Sequence, residues 1–162
     1  MTSYSEKQAS DVIALQQLIS EYCYELDLTG GINAFRFFTD DGCLKVGTMA
    51  FSGHDEMKSF YQGFLEQVAE SEPTGKRTTR HIFTNVRIDF EGAENAVVNF
   101  IVMNFSSGGV PPIQGATSPT IVSDVQCRCK KNNESVWLIA EFTGDPIFLG
   151  DDPLQQKALT DS

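Results

Sequence analysis

The chain has 162 residues, and 22 acidic against 12 basic side chains leave a formal charge of −10. That length suits one domain, and 41% hydrophobic residues with 12 phenylalanines supply a core that buries roughly 70% of the unfolded surface, which excludes disorder for most of the chain. The acidic balance disfavours nucleic acid and anionic membranes as partners, since the local basic group Lys76, Arg77 and Arg80 is too small to follow a phosphate backbone.

The opening MTSYSEKQAS is polar and no long apolar stretch follows, so neither signal peptide nor spanning helix is read and a soluble, cytoplasmic protein is expected. From Val12 the apolar positions Leu15, Leu18, Ile19, Tyr22, Cys23 and Leu26 form one helical face, with Ser10 or Asp11 as the cap and Gly30-Gly31 as the stop. A short amphipathic piece, Ile32 to Phe38, ends at a turn Thr39-Asp40-Asp41-Gly42, and Cys43 to Phe51 reads as a strand. After Ser52-Gly53, the spacing of Met57, Phe60, Tyr61, Phe64, Leu65 and Val68 predicts a second long helix.

The period then changes. Arg80 to Phe90 and Asn95 to Phe105 predict a hairpin through Glu91-Gly92-Ala93-Glu94, Ser106 to Pro119 predicts a long loop, and Thr120 to Lys130 with Val136 to Phe142 predicts a further strand pair. Residues 144–162 read as a polar tail, loose at its end, behind a core of about residues 10–143 in a single domain spanning 1–162. Helices first and mostly antiparallel strands after them indicate an α+β domain with helices packed on one face of the sheet. Val98, Phe100 and Val102 alternate with Val97, Ile101 and Met103, so the second face also needs cover, which predicts a homo-oligomer, dimer or trimer.

Four cysteines in a chain able to build its own core read as reduced thiols. Cys127-x-Cys129 lacks a second Cys or His pair at ligand spacing, so no metal is expected. Two histidines limit the search for a base at neutral pH. His54, at the start of the second helix, reads as a local structural residue, whereas His81 starts an apolar strand and points the same way as Phe83. Asp27 continues the row Ile19, Cys23, Asp27 on the first helix; a carboxylate on a buried row needs a partner, and a His–Asp pair supplies one. Two readings stay open for that pair: a general base steadied by an acid, or a satisfied internal hydrogen bond.

The segments Leu18-Ile19-Ser20-Glu21-Tyr22-Cys23-Tyr24-Glu25-Leu26-Asp27, Phe37-Phe38-Thr39-Asp40-Asp41-Gly42, Phe51-Ser52-Gly53, Arg80-His81-Ile82-Phe83-Thr84-Asn85-Val86 and Val136-Trp137-Leu138-Ile139 together resemble the SnoaL-like family, over nearly all of residues 10–143. The resemblance implies the nuclear-transport-factor-like fold, a cone-shaped α+β barrel whose strongly curved, mixed and mostly antiparallel sheet wraps a long N-terminal helix around a pocket. It also places Asp27 and His81 where scytalone dehydratase, the bile-acid dehydratases and dehydrochlorinase-type lyases carry their dyad. Tyr22 takes the position of a site tyrosine of the bile-acid enzymes, beside its reading as a core aromatic. No arginine follows Trp137 within Leu138 to Phe142, where two of those enzyme types assist the leaving group.

The resemblance implies a cofactor-independent lyase or isomerase, dehydratase-like, acting on a hydrophobic cyclic small molecule. His81 would take a carbon-bound proton, Asp27 would orient it, Tyr22 would bond a substrate oxygen, and Phe38, Phe60, Phe83, Met103 and Phe142 would wall the pocket. The alternatives are a non-catalytic binding or assembly module of the same fold, and a polyketide cyclase or hydrolase using the same pocket.

Overall fold

The computed structural model describes residues 4–115 and 118–152. Helix α1 spans Glu6–Thr29 and is set by a capping box: Gln8 N–H donates to the Ser5 hydroxyl at 3.3 Å and Ser5 N–H to Gln8 Oε1 at 2.9 Å. It therefore begins before Ser10, because the cap orders a polar first turn that carries no apolar period. Its end is the expected one: Gly30, at φ +73°, closes the helix onto the Leu26 carbonyl. The glycines there also allow close approach, since a Cβ on Gly31 would lie 2.5 Å from the Tyr61 ring.

A single 3-10 turn, Ala34–Phe37, leads into strand β1, Phe38–Val46, then β2, Met49–Ser52, and helix α2, Gly53–Ser71. The segment Thr39 to Gly42 is thus strand, not turn; it occupies the irregular stretch between the Phe38 and Cys43 pairings with the last strand. The expected strand over Cys43 to Phe51 is a hairpin, turned at Gly47 with φ +57°. Strands β3, Arg77–Phe90, β4, Asn95–Gly108, β5, Ile121–Lys131, and β6, Trp137–Leu149, follow. The loop after β4 begins only past Gly108, and the tail is ordered into the sheet as far as Leu149, because β5 pairs Ile121 with Leu149 and Val122 with Phe148 and holds a segment that lacks a strand period of its own. Asp152 is buried beyond it, and the expected loose end, residues 153–162, lies outside the described residues.

The six strands form one open mixed sheet in the order β2-β1-β6-β5-β4-β3, parallel only between β1 and β6. Helix α1 lays Leu15, Leu18, Ile19, Tyr22 and Cys23 against the inner face, among Val98, Phe100, Val125, Cys127, Ile139 and Phe142, while α2 covers the β1–β2 end. This is the α+β cone expected of the sequence, with helices closing what the sheet leaves open. The described residues contain no helix long and apolar enough to cross a membrane.

Candidate functional site

Strand β3 turns Arg77, Thr79, His81 and Phe83 inward, and then carries one extra residue between Thr84 and Arg87, where Asn85 adopts φ +55°. Above it runs the last turn of α1. The Asp27 carboxylate accepts from His81 Nδ1 at 2.7 Å and, through both oxygens, from the His81 backbone N–H at 3.0 Å. A carboxylate only accepts, so Nδ1 carries the proton and Nε2 is left with its lone pair. The two side chains are 7% and 16% exposed for Asp27 and His81 respectively.

Across the β3–β4 ladder, Asn104 stands opposite His81, and its Nδ2 donates to His81 Nε2 at 2.9 Å. Thr120 fixes this asparagine, donating from its hydroxyl to the Asn104 carbonyl at 3.0 Å. Asp27, His81 and Asn104 thus form a continuous chain along the wall of a cavity of about 560 Å³ between α1, α2 and the inner sheet face, with Thr120 bonded to Asn104 but not itself on the wall.

At another part of the wall, the Tyr22 and Tyr61 hydroxyls meet at 2.9 Å. Burial pushes both phenols above their ordinary pKa; the neighbouring Tyr61 raises Tyr22 further, the bond to Tyr22 draws Tyr61 only partly back, and both stay protonated. Two hydroxyls hold two protons and their mutual bond uses one, which leaves one phenolic donor for a guest. Cys23 also lines the cavity; burial and the Asp27 charge push its thiol up to about 12, so it is not a nucleophile.

Of the residues expected at the site, Tyr22, Asp27, His81, Phe60 and Phe142 do line this cavity. Phe38, Phe83 and Met103 do not. Phe38 is 2% exposed and packs edge-on to Tyr22, behind the wall. Phe83 is edge-on to Phe100, which takes the lining position itself. Met103 points to the outer face, because β4 presents Phe100, Val102 and Asn104 inward and alternation sends Met103 the other way. His54 is structural, its Nε2 lying 3.2 Å from the Phe38 carbonyl.

Tyr61, Asn104 and Ser123 were not singled out by the sequence. Asn104 was within reach of hairpin register, had the extra residue at Asn85 been visible. The cations along the cavity, Lys76, Arg77 and Arg80, come from β3 and the residue before it, not from the last strand. Arg77 is no free cation: its guanidinium donates to Glu72, Asp152 and Ser106. Among the described residues no group of three or more His, Cys, Asp or Glu side chains is placed to hold a metal ion.

A family model described as a SnoaL-like domain matches residues 7–143. No protein with a curated description matches the chain. Solved structures share the fold at low identity. A Novosphingobium aromaticivorans protein provisionally named a scytalone dehydratase superposes with TM-score 0.74 at 15% identity, covering 92% of each chain. A hexachlorocyclohexane dehydrochlorinase (LinA) type 2 gives 0.70 at 16%, covering 89% of this chain and 90% of its own. A Catenulispora acidiphila protein in complex with S-DNPA gives 0.70 at 16%, covering 85% and 94%.

Proposed function

The chain belongs to the SnoaL-like domain family, and from that premise we propose that it is a single-domain, cofactor-independent lyase or isomerase of dehydratase type that acts on a hydrophobic cyclic small molecule. The observation that carries this reading is the imidazole at the cavity wall, with Nδ1 held by Asp27 and Nε2 engaged by the amide of Asn104, which lines the same cavity. Nε2 takes a proton from a carbon next to an activating group; the C–H electron pair moves toward that group or expels a β-leaving group. Asp27 holds the tautomer and stabilises the imidazolium. The free phenolic proton of the Tyr22–Tyr61 pair bonds the substrate oxygen on which charge develops. General-base catalysis contributes on the order of 10²- to 10⁴-fold, and the remaining acceleration comes from binding and electrostatics in the apolar cavity.

The named neighbours are consistent with this reading, since two are called a dehydratase and a dehydrochlorinase and a third holds a small molecule. The proposed assembly is a homo-oligomer. Support for it is a row of paired residues on the outer sheet face, Ile82, Met103, Val122 and Phe148, in which Ile82 and Phe148 are 49% and 67% exposed.

One observation favours a second reading, a binding module without chemistry: Asn104 satisfies Nε2 internally. On the catalytic reading Asn104 yields the lone pair when substrate enters, and its Oδ1 is the acceptor for the new Nε2–H once the amide turns over. The test is a thermal-shift screen of cyclic ketones, enones and alcohols, followed by incubation of each binder in D₂O with NMR detection of exchange at carbon. Exchange or elimination that disappears in a folded His81→Ala variant supports the proposal. Binding with no exchange assigns the module reading instead, and exchange that survives His81→Ala overturns the role given to His81.

A further inference from the structure

Along β5 the inward positions are Ile121, Ser123, Val125, Cys127 and Cys129. Ser123 is the one hydroxyl among them. It is 3% exposed and lines the cavity, and its side chain makes no hydrogen bond to the described residues. Its row neighbours in the sheet offer none: Val102 on β4 and Pro146 on β6 stand opposite it, with Phe83 beyond Val102. A buried hydroxyl is ordinarily paired, as Thr120 is to Asn104. A buried hydroxyl without a protein partner, on the apolar stretch of wall formed by Phe100, Val102 and Val125, is a binding element waiting for its ligand.

The geometry points to Ser123 as a second polar anchor of the cavity, one that holds a neutral oxygen substituent of the guest remote from the carbon at which His81 acts. The inference rests on the reading of this cavity as the substrate site. Two strand spacings and one inward step separate Ser123 from His81, roughly 10 Å along the curved sheet. The guest is therefore elongated, of two or more fused or linked rings, with oxygen functions toward both ends. The surroundings decide its charge. Val102, Val125 and Phe100 flank Ser123 on the lining, so a hydroxyl or carbonyl fits there and an ionised group does not.

Paired probes separate this from the parent reading: 4-phenylphenol, which offers one hydroxyl, and 4,4′-dihydroxybiphenyl, which offers one at each end, titrated by calorimetry against the whole chain and its Ser123→Ala variant. The wild type is expected to favour the diol by about three- to tenfold, the worth of one neutral hydrogen bond. Ser123→Ala is expected to lose that preference, keep its affinity for the mono-ol, and melt no lower than the wild type, because it removes a group that has no protein partner. Equal binding of both probes by the wild type, a preference that survives in Ser123→Ala, or a lower melting temperature in that variant would each overturn the assignment of Ser123 alone. Failure of the wild type to bind either probe, or any compound of the ketone and enone screen, would overturn the cavity as a substrate site and this inference with it.

Discussion

His81 faces Asn104 because β3 carries one residue more than β4 between Thr84 and Arg87. Continued from the Arg87–Asn99 pair with every residue paired and no bulge, the ladder would set His81 against Phe105, which belongs to the opposite face. The kink at Asn85 therefore decides which polar group meets the imidazole. A carboxylate in place of the amide would stabilise the imidazolium and make the neutral base scarcer at a given pH. Asn104→Asp is accordingly expected to move the acid limb of the pH–rate profile to higher pH, whereas Asn104→Leu lowers turnover about tenfold and costs about 1–3 kcal/mol of stability. An unmoved acid limb in the folded Asn104→Asp variant would separate Asn104 from the proton transfer.

Asp27 grips His81 twice, at the ring and at the backbone. Asp27→Asn replaces one acceptor oxygen by a donor, which must face one of two N–H groups. Turnover is expected to fall by about 10²-fold or more, as it does when a base loses the acid that sets its tautomer, and stability by about 1–3 kcal/mol. Steady-state kinetics with urea unfolding checks both; a variant with wild-type turnover would make the Asp27–His81 contact purely structural.

The pairing of these two residues was legible in the sequence because each lies on a regular pattern: Asp27 one turn past Cys23 on a buried helical row, His81 two residues before Phe83 on a strand. The α1 stop at Gly30, the β3–β4 hairpin and the α+β order were legible for the same reason. What was hidden depends on partners distant in sequence. Met103 and Phe100 look alike as residues of an apolar strand, and only α1 lying against Phe100 decides which face is inner. The strand character of Thr143 to Leu149 comes from β5, not from its own composition. Tyr61 acquires its role from Tyr22, 39 positions away.

Tyr22 and Tyr61 share one hydrogen bond and present one free proton, so they act as a unit. Tyr22→Phe and Tyr61→Phe are each expected to reduce turnover by about tenfold, and the double variant by scarcely more than either single one, a non-additive cycle. The measurement is kcat/KM for the four proteins on one substrate. Additive losses would show two independent contacts, and no loss would remove the pair from the reaction.

Away from the cavity, Asp11 ties α1 to β5 and β6, accepting from Lys131 Nζ at 2.7 Å and from Trp137 Nε1 at 3.0 Å. Burial alone would raise its pKa, but the bonds from Lys131 and Trp137 prevail and hold it below the ordinary 3.8. A group whose pKa is depressed by folding contributes its stability above the unfolded value and loses it as pH falls through the folded one. Melting temperature recorded from about pH 7 down to about pH 2 is therefore expected to show Asp11→Asn below the wild type near neutrality, with the gap closing toward the acid end. A gap independent of pH would assign the loss to packing around Trp137.

The outer row Ile82–Met103–Val122–Phe148 crosses four adjacent strands, so its side chains form one continuous apolar strip on a face that no helix among the described residues covers. Strands that are apolar on both faces need burial on both, and a second copy placing the same strip against this one satisfies that need with a self-complementary contact. Sedimentation velocity at about 10 μM, a concentration a standard-sized interface of micromolar or tighter affinity would populate, is expected to show an oligomer. Phe148→Lys combined with Met103→Glu is expected to shift it to monomer while leaving circular dichroism unchanged. A wild type that sediments only as monomer would leave the strip without the partner its composition calls for, and would count against oligomerisation through this face.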